Sequence, residues 1–251
     1  MLDTSAYLNR LNYAGHRAPT LETLRALHRA HMLAVPFENL DIGLGRPIKL
    51  DEPALYSKIV TARRGGFCYE LNGLFAALLR SLGFEVTLMS ARVYDGRQPG
   101  PDFDHLTLRV QLETPWLADV GFGDSFVEPL RLEAGLEQPD VAGIFRLERD
   151  PDGTWRLQAR NAQGGWDTNY GFSSQPRQMA DFQEMCVYQQ TSPDSHFTQH
   201  RICSLATPAG RVTISDQRLI VTAQGERTET SLADQAEFNA ALRQYFAIDL
   251  G

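Results

Sequence analysis

At Phe84 the spacing of apolar residues changes, and that change limits what the chain can become. Before it, apolar side chains recur at three- and four-residue steps; after it they recur at every second residue. Leu71, Leu74, Phe75, Leu78, Leu79 and Leu82 form one stripe of a helix that begins near Cys68 and ends at Gly83. Thr20 caps an earlier helix through Leu21, Leu24, Ala26, Leu27 and His31, which Pro36 closes off. Asp51 caps another, with Pro53 in its first turn and Tyr56, Ile59 and Val60 on its apolar side. FEVTLMSARVY, HLTLRVQL and WLADVGF then alternate as strands, and Leu106, Leu108, Val110 and Leu112 line one face of the middle one. RLERDPDGTWRLQ predicts a hairpin turning at Asp152 and Gly153. A helix is expected near Met179 to Gln189, short strands through RVTISDQRLIVTAQGERTETSL, and a last amphipathic helix from Asp234 to Phe246. Helices come first, then strands, then a mixture. The order predicts an α+β protein of closely packed subdomains, divided at 1–84, 85–180 and 181–251.

Composition narrows the function classes. The 251 residues are enough for a substantial core, and 43% hydrophobic against 22% charged residues is the balance of a folded chain. A formal net charge of -7 with no Lys/Arg block argues against nucleic acid as a partner, although a local cluster can still serve an anionic substrate. The opening stretch MLDTSAYLNRLNYAG lacks the basic segment and apolar core of a signal peptide, and no apolar run approaches the ~20 residues of a membrane span. A cytoplasmic protein without membrane partners is expected. Cys68, Cys186 and Cys203 are odd in number and widely spaced, which argues against a disulfide framework and against a structural zinc site.

Cys68 stands in RRGGFCYELNGLF, after two glycines and at a helix start. Gly65 and Gly66 permit dihedrals and close approaches that a Cβ forbids. Unpaired N–H groups at a helix start favour an anion, so this position is expected to lower a thiol pKa and to offer donors to an oxyanion. Cys186 and Cys203 lack that setting and are expected to fill space. A nucleophilic thiol needs an imidazole, and the imidazole needs a carboxylate. His16, His28 and His31 lie in or beside helices with no motif and are expected to pack. His105 opens the HLTLRVQL strand on the face opposite its leucines, and Asp119 lies in the next strand, where cross-strand contact brings the two together. Asp104 is the rival carboxylate, but a sequence neighbour on a strand points to the other face.

RRGGFCYELNGLF, HLTLRV and DVGFG together resemble the arylamine N-acetyltransferases, as do PFENL at 36–40 and TSPDSHF at 191–197. The resemblance runs over nearly the whole chain. It implies a Cys-His-Asp triad, Cys68, His105 and Asp119, on a papain- or transglutaminase-like core of helical bundle, β-barrel and α/β lid. It implies acetyl-CoA as donor, no metal, and a small arylamine or hydrazine as acceptor. Phe37, Tyr69, Val93, Phe122 and Phe197 match positions that wall the family's acceptor pocket. Gly121 and Gly123 offer room for a pantetheine arm or acceptor beside the backbone, and Arg64 matches an arginine whose role looks structural. His196 and His200 fall in the expected lid. A cysteine peptidase, a macrolactam-forming amide synthase and an inactive binding protein are the alternative readings.

Overall fold

The structure is a computed structural model that describes residues 2–96 and 98–250. Thr20 caps the Leu21–Ala34 helix by accepting the Thr23 N–H, and Asp51 caps Glu52–Tyr56 in the same way. The Glu52–Tyr56 helix runs on into a wider turn at Ser57–Thr61, which carries Lys58 inward. The Cys68–Ser81 helix is the hub of the N-terminal region. Its Leu74, Phe75, Leu78 and Leu79 are fully buried, each contributing about 1.5–3 kcal/mol of hydrophobic stabilisation. Gly83 follows it at φ +88, the left-handed conformation expected of a helix stop.

The alternating segments form a nine-stranded antiparallel sheet. Its order places His105–Gln111 between Pro115–Ala118 and Glu85–Asp95, with Trp166–Phe172, Trp155–Arg160 and Gly143–Arg149 beyond. Side chains nearly close it into a barrel. Gln138 of one end strand bonds the backbone N–H and C=O of Arg131 in the other, and Asp140 accepts from Val127 and Glu128 N–H. The period of two decides which core each residue serves. Leu106, Leu108 and Val110 pack against the Cys68–Ser81 helix, with Leu112 partly buried at their end. Met89, Ala91, Leu117 and Tyr170 fill the barrel.

WLADVGF is a strand only as far as Ala118, and Asp119 lies just past its end. The register pairs Leu108 with Ala118. Extending it sets Asp119 opposite Thr107 and makes His105 its diagonal neighbour on the same face. The hairpin at Asp152 and Gly153 and the helix at Gln183–Thr191 form where the sequence predicts them. A second sheet of five strands contains Ile202–Thr207, Gly210–Ser215, Arg218–Ala223 and Glu226–Ser231, with the Gln235–Phe246 helix packed on it. Its remaining strand is Phe37–Glu38, out of the helical N-terminal region. Among the described residues no helix is long and apolar enough to cross a membrane.

Candidate active site

Cys68 is the first residue of its helix, held there by two close approaches. A Cβ on Gly65 meets the Pro36 carbonyl oxygen at 2.0 Å, and one on Gly66 meets the Glu70 side chain at 2.7 Å. Neither glycine has a positive φ, so closeness rather than dihedral freedom is what demands them. Glu38 N–H donates to the Gly66 carbonyl at 2.9 Å, tying the turn to the Phe37–Glu38 strand. Below the turn lies a knot of buried charge. Arg64 donates to Glu38 Oε1 at 2.8 Å and Asp41 Oδ1 at 3.1 Å. Lys58 reaches Glu70 Oε1 and Asp41 Oδ2, each at 2.9 Å. Glu70 in turn accepts the Phe67 N–H, so the cluster caps the helix that begins with Cys68. Arg64 is thus held between two carboxylates of the cluster.

Asp119 is wholly buried and every lone-pair direction of its carboxylate is used. Oδ2 accepts from His105 Nε2 at 2.6 Å and from the Tyr170 hydroxyl at 2.8 Å. Oδ1 accepts from Asn72 Nδ2 at 2.8 Å and from Gly121 N–H at 3.0 Å. Burial works to raise its pKa, but the imidazole and these donors outweigh it and hold the carboxyl below its ordinary value. With Nε2–H given to Asp119, Nδ1 is the nitrogen of His105 left to take a proton. The rival carboxylate, Asp104, accepts instead from Gln189 Nε2 at 2.9 Å.

The thiol is where the helix-start argument falls short. Cys68 is only 3% exposed, and burial pushes its pKa well above the ordinary thiol value. The Leu106 backbone amide opposes the rise, while the Asp104 and Asp119 charges add to it. An isolated thiolate is therefore disfavoured, and an adjacent imidazolium is the condition for forming one.

Cys68 and His105 line one cavity of about 460 Å³. Phe37, Val93, Phe122, Phe197 and Gly121 share its wall. Tyr69 stands behind that wall, fully buried, its hydroxyl donating to the Phe103 carbonyl at 2.7 Å and its ring against Phe67 and Phe182. Gly121 also packs on the Cys68–Ser81 helix, where a Cβ falls 2.9 Å from Cys68 Cα. Gly123, at φ +91, lies against the Phe37 ring. His196 lines the cavity, and His200 pairs with Asp216 at 2.9 Å beside it.

The family model described as N-acetyltransferase matches residues 20–251. An arylamine N-acetyltransferase / N-hydroxyarylamine O-acetyltransferase from Salmonella typhimurium is 38% identical, over 97% of this chain and 88% of its own. The Escherichia coli arylamine N-acetyltransferase is 36% identical over 96% and 87%. This chain belongs to the arylamine N-acetyltransferase family. Among solved structures, the M. tuberculosis arylamine N-acetyltransferase superposes with a TM-score of 0.92 at 37% identity, covering 98% of this chain and 94% of that one. The Mycobacterium marinum arylamine N-acetyltransferase in complex with CoA gives 0.91 at 35% identity, covering 98% and 93%.

Three further side chains hold Asp119 or its backbone, and of these only His28 is named from the sequence, where it is expected to pack. Asn72 donates to Asp119 and to the Leu106 carbonyl, and accepts the Val120 N–H at 2.9 Å. It sits one helical turn after Cys68, a polar residue on the same face, which is a readable signal. His28 accepts the Asp119 N–H at Nε2 and donates from Nδ1 to the Val127 carbonyl, so it packs and also fixes the backbone of the carboxylate. Its sign in the sequence is a histidine on the apolar stripe of Leu24, Leu27 and His31. Tyr170 comes from a strand far along the chain, and no local pattern marks it.

Proposed function

We propose that this arylamine N-acetyltransferase moves the acetyl group of acetyl-CoA through acetyl-Cys68 to the nitrogen of a small arylamine, arylhydroxylamine or hydrazine. The observation that carries the reading is His105, fixed by Asp119 at 2.6 Å and facing the same cavity as Cys68. In the first half-reaction the Cys68 proton passes to His105, the sulfur attacks the acetyl thioester, and coenzyme A leaves with that proton. One thioester replaces another at little cost in free energy. In the second, the acceptor nitrogen attacks acetyl-Cys68, His105 takes the N–H proton, and the Cys68 thiolate departs. An arylamine is weakly basic and so is unprotonated and nucleophilic near neutral pH. Phe37, Val93, Phe122 and Phe197 supply apolar contacts for its ring, and Gly121 lets a ligand approach the backbone. The cavity's size suits such an acceptor better than the extended chain a peptidase needs.

Acetyl-CoA alone should release about one equivalent of coenzyme A in a burst, and digestion should place a single acetyl group on Cys68. Adding an arylamine or hydrazide should discharge it, with parallel double-reciprocal lines. Cys68→Ala should fold and show neither burst nor turnover. No adduct on Cys68, together with cleavage of a peptide library, sinks the reading in favour of a peptidase.

A further inference from the structure

The wall in front of Cys68 carries a set of carboxyl groups. Asp95, Asp104 and Asp194 line the cavity, and no lysine or arginine joins them among the described residues. Asp95 and Asp194 are exposed at its rim. Asp104 is half-buried, anchored by Gln189, and directly precedes His105. Its charge is felt by the nucleophile, because it helps to push the Cys68 thiol up. His196, on the same wall, does not offset the aspartates near neutral pH: burial and the neighbouring His200 hold its pKa below the ordinary value.

We propose that this cavity selects acceptors by charge, with Asp104 as the inner determinant and Asp95 and Asp194 as the outer ones. Neutral and cationic arylamines and hydrazides are accepted, and acceptors with a carboxylate on the ring are turned away. The inference rests on the acetyl-transfer reading and names the acceptor class for it. Three features support it. An anion moved into an apolar enclosure keeps little of its hydration, and a carboxylate nearby then repels it far more than it does in water. An ionised carboxylate is also an acceptor only, so it complements the N–H groups of an amine or hydrazide. The donor escapes the same repulsion, because the pantetheine arm and thioester that reach Cys68 are uncharged and the phosphates lie at the far end of the molecule.

The test compares 4-aminobenzamide with 4-aminobenzoate, matched in shape, at saturating acetyl-CoA. In wild-type enzyme kcat/KM should favour the amide by about tenfold or more, since like charges in a poorly hydrated site cost over 1.4 kcal/mol. Asp104→Asn should bring that ratio towards one. The double change Asp95→Asn with Asp194→Asn should move it in the same direction by less, and it decides the question if Asp104→Asn does not fold. Equal kcat/KM for the two acceptors in wild type, or a ratio that ignores the aspartate changes, overturns the charge filter while leaving acetyl transfer intact. Failure of every acceptor to discharge an acetyl-enzyme overturns the transfer reading, and the filter falls with it.

Discussion

Two buried clusters of charge flank the start of the Cys68–Ser81 helix, built on opposite plans. On one side a single carboxylate, Asp119, is surrounded by neutral donors and one imidazole. On the other, three carboxyl groups, Glu38, Asp41 and Glu70, are held by two cations, Lys58 and Arg64. Neutral donors let a charge stay put while a partner titrates, because each hydrogen bond survives the change of state on the imidazole. Fixed ion pairs have no such freedom. Their geometry depends on the charges that face one another, which suits them to holding a helix start in place. The comparison teaches that two buried carboxylate clusters can be built for different tasks, and that the kind of partner tells them apart.

The sharpest way to break this distinction is Asp119→Asn. An NH₂ at the Oδ1 position meets the Asn72 and Gly121 donors head-on, so the amide turns it to His105, which drives the imidazole proton onto Nδ1 and removes the base. The expected loss is ~10⁴-fold in kcat, measured by coenzyme A release, with a smaller change in unfolding midpoint. If Asp104→Asn proved equally damaging to kcat, the orienting carboxylate has been misassigned.

Arg64→Ala tests the other cluster. It leaves Glu38 and Asp41 short of a partner, so a loss of ~3–5 kcal/mol in unfolding free energy is expected, with the kcat of whatever remains folded close to wild type. A stable variant with crippled kcat would erase the division of labour between the clusters. Tyr170→Phe is a milder probe of the Asp119 side. It deletes one hydrogen bond to a charged group, worth ~1.5–3 kcal/mol, and should lower kcat by about tenfold with the His105 contact intact.

The last probe is a pH dependence. Burial raises Glu70 to about 7, with Lys58 opposing and Glu38 reinforcing. A raised carboxyl holds its proton in the folded state after the unfolded chain has lost it, at ~4.3. Its contribution to stability therefore falls as pH rises from there to about 7. Glu70→Gln should gain on wild type across that window in denaturant melts. Asp119 and Asp41, both held low, do the reverse: their stabilisation is present above the ordinary carboxylate value, ~3.9, and is lost as pH falls through their folded values. A flat difference between Glu70→Gln and wild type would mean that Lys58 neutralises Glu70 completely.

Where an interaction is local, the residues disclose it. The caps at Thr20 and Asp51, the stripe that starts beside Cys68 and the leucines of the His105 strand follow from spacing alone. His105 and Asp119 are readable because adjacent strands bring them to one face. The Phe37–Glu38 strand is not, since two residues inside a helical stretch carry no period. Tyr170 is hidden for another reason: its strand lies two places from the His105 strand in the sheet, and only the folded barrel puts it beside Asp119. The upward push on the Cys68 thiol escapes a sequence reading too, because helix position is local and enclosure is a property of the whole packed site.

The strand at Phe37–Glu38 has a consequence for how the molecule is made. It pairs with Ile202–Thr207, and the neighbouring Asn39 side chain accepts the Ile202 N–H from 163 residues further on. A ribosome delivers Phe37 long before it delivers Ser204, so one wall of the cavity waits with an unpaired edge while the barrel is still being synthesised. Pairing over such a span is slow to find, because the chain between must close a long loop before any contact rewards it. Maturation of the pocket is thus a late event in the life of each chain, and a nascent chain stalled before Ile202 carries Cys68 without its finished enclosure.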